Sequence, residues 1–378
     1  MLKSGALPFR PRDLAADETL ELVEFERDGP HVVQGLLRAC GRDIWYPIVR
    51  GVPSFLTGPL RPDLTEFCRR HGLAVPANEP TGSTSSAQAE TASTFSDKWR
   101  RFTSYGLEPT HQEFLLQWYC RKFGLSGQDA LASFYRDRDR VLEVGPGSGF
   151  NTRFIATHCR GEVFALDISE AAFTTFENTK DLLNCTVAQA DLMDAPFPDG
   201  YFDLIIADGV LHHTPDTRSA VRALYSKVAP AGQFFFYVYR KMGPARQFCD
   251  AHIRQHFTKL EPDSCYAACE PLTELGRELA RLNARITLEK PIPLLGIPAG
   301  THDVQRLLYY NFVKCFWNDA FDFETNNMVN FDWYHAHNAW QHTEEEVAGW
   351  LDELGVRKYR FNDANPNGIS VLLEKPGA

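Results

Sequence analysis

The sequence predicts an α/β fold with a parallel sheet wound on both faces, and three observations carry that expectation. Short apolar runs alternate with helix-length segments from Arg140 to Tyr239, the rhythm of strand–helix units that cover both faces of a sheet. The first run, 141–144, opens into the glycine-rich turn Glu143-Val-Gly-Pro-Gly-Ser-Gly149. The second run ends on an acid, Asp167, at the carboxyl edge where open α/β sheets receive ligands.

Taken in order, this segment predicts strands over 141–144, 162–166, 185–188, 202–207 and 233–239. Helices are expected over 150–158, 171–178 and 219–228, and Pro230-Ala-Gly232 makes a turn before the fifth strand. The rhythm then breaks for about 100 residues, with helical patterns at 245–260, 264–282 and 304–317. It resumes with a helix over 343–354, opened by Thr343-Glu-Glu-Glu346, which has capping-box character. Closing strands follow at 356–361 and 369–374.

The expected division is a β-rich unit over 1–60, a linker over 61–94, a helical leading segment with the core over 95–240, a helical insertion over 241–340 that covers the site, and closing elements over 341–378. Strands of the first unit are expected near 20–26, 31–38 and 45–53. Residues 75–93 are rich in Ser, Thr, Ala, Gly and Pro with almost no large apolar side chain, so they read as flexible.

Composition excludes several classes. With 378 residues, 44% hydrophobic and 23% charged, the chain can bury a core without disulfides or metals. A net charge of −10 without a Lys/Arg run argues against gripping nucleic acid through its phosphates. No run approaches the roughly 18 apolar residues of a membrane span. Met1 to Arg12 lacks the apolar region of a signal peptide. Nine cysteines without a C-x-x-C pair fit reduced thiols and a cytoplasmic location. The single H-x-H, His335-Ala-His337, lacks the further donors a metal needs, so no metal is expected.

Glycines 145, 147 and 149 give G-x-G-x-G, whereas dinucleotide binders usually show G-x-G-x-x-G. Asp167 lies 22 residues beyond Gly145, placed to accept from both hydroxyls of a ribose, a position that also suits NAD. Asp191, after the third strand, is placed to accept from an adenine amino group. Glu143, Asp167 and Asp191 form an acidic rim that suits a cationic ligand better than one carrying a pyrophosphate. Tyr237 and Lys241 match the Y-x-x-x-K of short-chain dehydrogenases. That pair works on one helix face, and Tyr237 falls in an expected strand.

Residues 141–239 resemble the class I S-adenosylmethionine-dependent methyltransferases, type 11-like, with their motifs in order. Glu143–Gly149 matches the first motif, Asp167-Ile168 the second, Asp191-Leu192 the third, and Asp208-Gly-Val-Leu-His-His213 the segment after the fourth strand. Pro230-Ala-Gly232 stands for the usual Pro-Gly-Gly. The resemblance implies the Rossmann-like class I fold and S-adenosylmethionine as cofactor. The contacts it implies are Glu143, Gly145, Pro146, Gly147, Gly149, Asp167, Ile168, Asp191, Leu192 and Asp208. Phe95-Ser-Asp-Lys-Trp99-Arg-Arg-Phe102 resembles the aromatic helix that closes over the cofactor in several small-molecule methyltransferases, with Trp99 either covering the sulfonium or packing in the core. The stretch from Pro293 to the capped helix resembles a group of bacterial methyltransferases whose acceptor it does not reveal. Cys40 to Pro53 resembles the end of a zinc ribbon that has kept only Cys40. Zinc needs four ligands, so this unit is expected to be metal-free and to serve substrate cover or dimer contact, which allows a homodimer.

Methyl transfer requires alignment and exclusion of water, and a base where the acceptor is a hydroxyl or ammonium. The candidates for that role are His212, His213 and Tyr237, and those for lining the acceptor pocket are Tyr239, Tyr309, Trp333, Tyr334 and His335. The aromatic insertion and the acidic charge favour O- or N-methylation of a small molecule, such as a metabolite, sugar or amino-acid derivative. Two alternatives stand: a protein or RNA acceptor, which predicts an open charged groove, and a non-catalytic module that keeps the fold for assembly.

Overall fold

The computed structural model describes residues 7–15, 18–41, 44–74, 86–362 and 366–377. Four antiparallel strands open the chain: β1 (Leu20–Asp28), β2 (His31–Ala39), β3 (Trp45–Val49) and β4 (Val52–Pro53). Helices α1 (Thr65–His71), α2 (Ser86–Arg101), α3 (Pro109–Phe123) and α4 (Gln128–Arg136) lead into the core. There β5 (Arg140–Val144), α5 (Phe150–His158), β6 (Glu162–Asp167), α6 (Ala171–Thr179), β7 (Cys185–Gln189), β8 (Phe202–Asp208), α7 (Thr217–Lys227) and β9 (Val228–Tyr239) alternate. The insertion holds α8 (Pro244–Phe257), α9 (Pro262–Arg281), the hairpin β10 (Arg285–Leu288) and β11 (Gly300–Asp303), α10 (Val304–Asn311) and α11 (Phe323–His335). α12 (Glu344–Glu353), β12 (Lys358–Asn362) and β13 (Gly368–Glu374) return to the sheet.

The seven-stranded sheet runs β12-β13-β9-β8-β5-β6-β7. β13 pairs antiparallel with both neighbours, while β7, β6, β5, β8 and β9 are parallel. Its central strands are apolar on both faces: Leu142, Val141, Leu204, Ile205, Ile206 and Phe234–Phe236 are all fully buried, as a sheet with helices on both sides requires. The strand order reverses at β5 and β8, and the crevice outside their carboxyl ends is where such sheets bind ligands. The expected turn at Pro230-Ala-Gly232 is a bulge inside β9, where pairing jumps from Phe202–Val228 to Leu204–Gln233 and Ala231 takes a φ of 59°. Thr343 and Glu346 form the expected capping box.

Three expectations are corrected. The linker over 61–94 contains α1 and the start of α2; residues 75–85 lie outside the described residues. Its short side chains, which read as flexible, let α2 pack closely, and Thr91, Ala92 and Thr94 are buried. The helix expected over 304–317 stops at Asn311, and α11 follows unannounced. α11 shows no apolar stripe because it is buried all round: Asn326, Asn327 and Asn330 are fully buried and bond to Asn318, Tyr266, Thr273 and Phe316. Finally, the N-terminal unit does not cover the substrate side. It joins the opposite edge of the sheet, where Ser54 bridges to Gln189, and Phe9, Tyr46 and Phe55 share a core with Phe197 and Leu166. Among the described residues no helix is long and apolar enough to cross a membrane.

Candidate active site

At the carboxyl ends of β5, β6, β8 and β9 lies a cavity of about 630 Å³, within the size range of small-molecule sites. One half is built by the turns of the sheet, with Val144, Gly145, Pro146, Ser148, Asp167, Ile168, Leu192 and Asp208 in its wall. The other half is walled by the insertion and by α2 and α3, which bring Tyr309, Lys314, Asp332, Trp333, Lys98 and Lys122.

The glycine turn is fixed by contact as much as by conformation. Gly145 has a φ of 67°, and a Cβ there would lie 2.2 Å from Val210. Gly147 has a φ of 62°, and a Cβ there would lie 2.5 Å from the Trp99 ring. Only glycine tolerates both the left-handed backbone and the close approach. Trp99 lines the cavity with an edge on Gly147, and Lys98 Nζ lies 4.5 Å from its ring centre. The leading helix is thus clamped onto the turn.

The acidic rim is only partly what the strand ends implied. Asp167 lines the cavity; its Oδ1 accepts from the Ser169 backbone (2.8 Å) and hydroxyl (2.7 Å). Burial raises its pKa to about 6, against the pull of those bonds and of the Gly147 and Ile168 backbone N–H groups. Glu143 turns away from the cavity, accepting from Asn151 Nδ2 (2.7 Å) and the Thr152 hydroxyl, and burial lifts its pKa to about 7. Its place in the wall is taken by Asn151, whose Oδ1 is buried without a partner among the described residues. Asp191 caps the short helix 192–194 through Met193 N (2.9 Å), while its neighbours Ala190 and Leu192 face the cavity. Gly147 and Gly149 shape the turn from behind the wall. A buried carboxylate at Asp167 and the orphaned Asn151 oxygen, beside a turn whose glycines admit Val210 and Trp99 at close range, fit a cationic ribonucleoside ligand such as S-adenosylmethionine.

On the acceptor side His213 lines the cavity. Its Nδ1 lies 2.6 Å from the Asn338 carbonyl; a carbonyl only accepts, so Nδ1 carries the proton and Nε2 the lone pair. Burial lowers its pKa to about 4, so it is neutral near pH 7. His212 is different: fully buried, with both ring nitrogens unpartnered among the described residues and the ring 3.6 Å from that of Tyr239, it packs behind the wall. Tyr237, Tyr239, Tyr309 and Trp333 line the cavity. Tyr334 and His335 do not. Tyr334 donates to Asp250 and to the Lys314 carbonyl, and His335 is bonded to Thr94 and to the Leu260 carbonyl, because these positions fall on the other faces of α11.

Sequence reasoning missed four charged residues. Lys122 bonds both oxygens of Asp208 at 2.7 Å, and Lys98 bonds Asp332 at 2.9 Å, tying α2 to α11 across the cavity. Asp332 Oδ1 has no partner among the described residues. Lys314 is buried with its Nζ 4.2 Å from the Trp333 ring centre, and burial, with Arg246 nearby, lowers its pKa to about 7. Asp332 stood in the Asn330–Tyr334 run, but nothing in spacing alone separates a cavity-facing lysine from a surface one.

Residues 142–236 match the sequence model of the family described as a methyltransferase domain. The chain is 33% identical over 115 residues to an uncharacterized protein of Synechococcus sp., covering 29% of this chain and 27% of that protein. It is 32% identical over 101 residues to the malonyl-[acyl-carrier protein] O-methyltransferase of Halorhodospira halophila, covering 26% and 34%. The chain therefore matches about a third or less of the length of these relatives. Among solved structures, the N-methyltransferase NodS of Bradyrhizobium japonicum with S-adenosyl-L-homocysteine aligns at 15% identity and a TM-score of 0.38, over 76% of this chain and 99% of that one. Residues 142–236 thus match a methyltransferase domain within a Rossmann-like α/β core that carries an N-terminal β unit and a helical insertion after β9.

Proposed function

We propose that the chain transfers a methyl group from S-adenosylmethionine to a small molecule held beneath the insertion. The observation that carries this reading is one cavity shared by two differently built halves: the Gly145–Gly149 turn with Asp167 on one side, and the aromatic wall Tyr239, Tyr309 and Trp333 on the other. Asp167 holds the ribose, Asn151 accepts from the ligand's ammonium, and Trp99 closes the turn. The bound cofactor supplies an electrophilic methyl carbon.

The chain's own task is then to orient the acceptor, exclude water and take a proton. His213 Nε2 is the base for an acceptor hydroxyl or ammonium, held in its tautomer by Asn338. Tyr237 and Tyr239 serve as walls. Burial keeps the Tyr239 phenol neutral by raising its pKa well above the ordinary value. The aromatic wall that the insertion sets over the cavity favours a small molecule over a protein or RNA.

Incubating the protein with S-adenosylmethionine and pooled small metabolites, then searching by mass spectrometry for compounds that gain one methyl, tests the reading. Methyl gain that disappears in Asp167→Ala supports it. Methylation of an added protein or RNA with none of small molecules would overturn the choice of acceptor.

A further inference from the structure

The charges in the acceptor half do not cancel. Lys98 is paired with Asp332, Lys122 with Asp208, and Arg246 with Asp250 through bonds of 2.8 and 2.9 Å. Three cations in the wall remain without a carboxylate partner among the described residues: Arg121, which is exposed, and Lys314 and Arg306, which are not. Arg306 gives one N–H to the Trp317 carbonyl and has its guanidinium 5.6 Å from the Tyr309 ring centre. Lys314 is 6% exposed, and its Nζ makes no hydrogen bond or ion pair among the described residues. A buried ammonium left unpaired is costly. The chain carries this cost in a cavity wall, although its net charge is −10.

The same half also holds an unpartnered acceptor, Asp332 Oδ1. This oxygen disfavours a dianion and needs a donor. A monoanion with a separate N–H or O–H fits both features.

We infer that the acceptor is a carboxylic acid that also carries a hydroxyl or amino group, its carboxylate held by Lys314 with Arg306 and its donor group by Asp332 Oδ1. The inference rests on the methyl-transfer reading above. Lys314 and Arg306 are specificity-determining residues in it, and the aromatic rings of Tyr309 and Trp333 enclose the body of the acid. The charged groups facing Lys314 are Arg246 and Lys98, which oppose its protonation, and Asp332 and Asp250, which favour it. A bound carboxylate adds to the second set.

Acetate is the test ligand, because it fits any carboxylate site whatever the rest of the acceptor. The protein, with and without S-adenosylhomocysteine, is titrated with sodium acetate, and its melting temperature is compared with sodium chloride at equal ionic strength. The expected result is a saturable rise with acetate, none with acetamide, and an apparent affinity at least about tenfold weaker in Lys314→Met. Lys314→Arg should retain part of the effect. Lys314→Met removes an unpaired buried charge, so its unliganded melting temperature should equal or exceed that of the wild type, and its S-adenosylhomocysteine affinity should be unchanged. An acetate effect no larger than that of chloride, an effect unchanged in Lys314→Met, or saturation by inorganic phosphate alone overturns the inference. If S-adenosylhomocysteine does not bind but acetate saturates through Lys314, the methyl-transfer reading fails and the carboxylate site stands.

Discussion

Lys122 Nζ sits 2.7 Å from both carboxylate oxygens of Asp208, with the Trp118 ring centre 3.5 Å and the Tyr237 ring centre 4.5 Å away. The two side chains are 2% and 9% exposed, and they join α3 to the end of β8 where the cofactor and acceptor halves meet. Removing one partner of a buried pair leaves an uncompensated charge. Asp208→Asn is expected to destabilise the fold by about 3 kcal/mol, measured by urea unfolding, and adding Lys122→Met should recover most of that loss. A loss below about 1 kcal/mol would mean that the pair behaves as an exposed one.

Gly147 and Trp99 make a second coupled pair. A Cβ on Gly147 would overlap the indole, and its φ of 62° strains any other residue. Gly147→Ala is expected to weaken S-adenosylhomocysteine binding at least about tenfold by displacing Trp99. Trp99→Ala in the same background should add little further loss, because the indole has already been displaced. Strict additivity in that cycle would show that the turn and the helix act independently.

The histidine pair separates chemistry from packing. His213→Gln is expected to lower kcat by about 10² or more while leaving cofactor affinity intact. His212→Phe should leave kcat nearly unchanged and stability equal or higher, since the His212 ring packs against Tyr239 and His213 and its nitrogens have no partner among the described residues. The reverse ranking would move the base to His212.

Glu143 gives a pH dependence of defined sign. Burial raises its folded-state pKa from 4.5 to about 7, against its bonds to Thr152 and Asn151 and with Asp208 adding to the rise. The folded state therefore holds a proton that the unfolded chain has lost, so this contribution is present below about pH 4.5 and falls away as pH rises through about 7. Glu143→Gln is expected to flatten the pH dependence of stability across that window and to stabilise the protein at pH 8 by on the order of 2 kcal/mol. An unchanged pH profile in the variant would show that the carboxyl titrates normally.

The core was legible because its signals are local. A strand, a turn that admits only glycine and an acid at the next strand end need no knowledge of the rest of the chain, and 140–239 alternates as read except that the turn expected at 230–232 is a bulge within β9. Asp167 and Gly145, read this way, line the cavity, and His213 was named without being separable from His212. The difference between those two lies in which ring reaches the cavity, set by the loop at Asn338 more than 100 residues away. Glu143 and Asp191 were assigned to the rim from strand-end position alone, yet neighbouring backbone and side chains claim their carboxylates. The cavity's far wall was least legible. α11 carries asparagines where a periodic helix would show apolar residues, and Lys314 has meaning only once α8 and α11 bury it.

Calorimetric titration with S-adenosylmethionine, S-adenosylhomocysteine and NADH, on the wild type and on Asp167→Ala, tests the methyl-transfer proposal most directly. The expected result is micromolar binding of both sulfur ligands, none of NADH, and a loss of at least about tenfold in the variant. Folded wild-type protein that binds neither sulfur ligand, or that binds NADH instead, would contradict it.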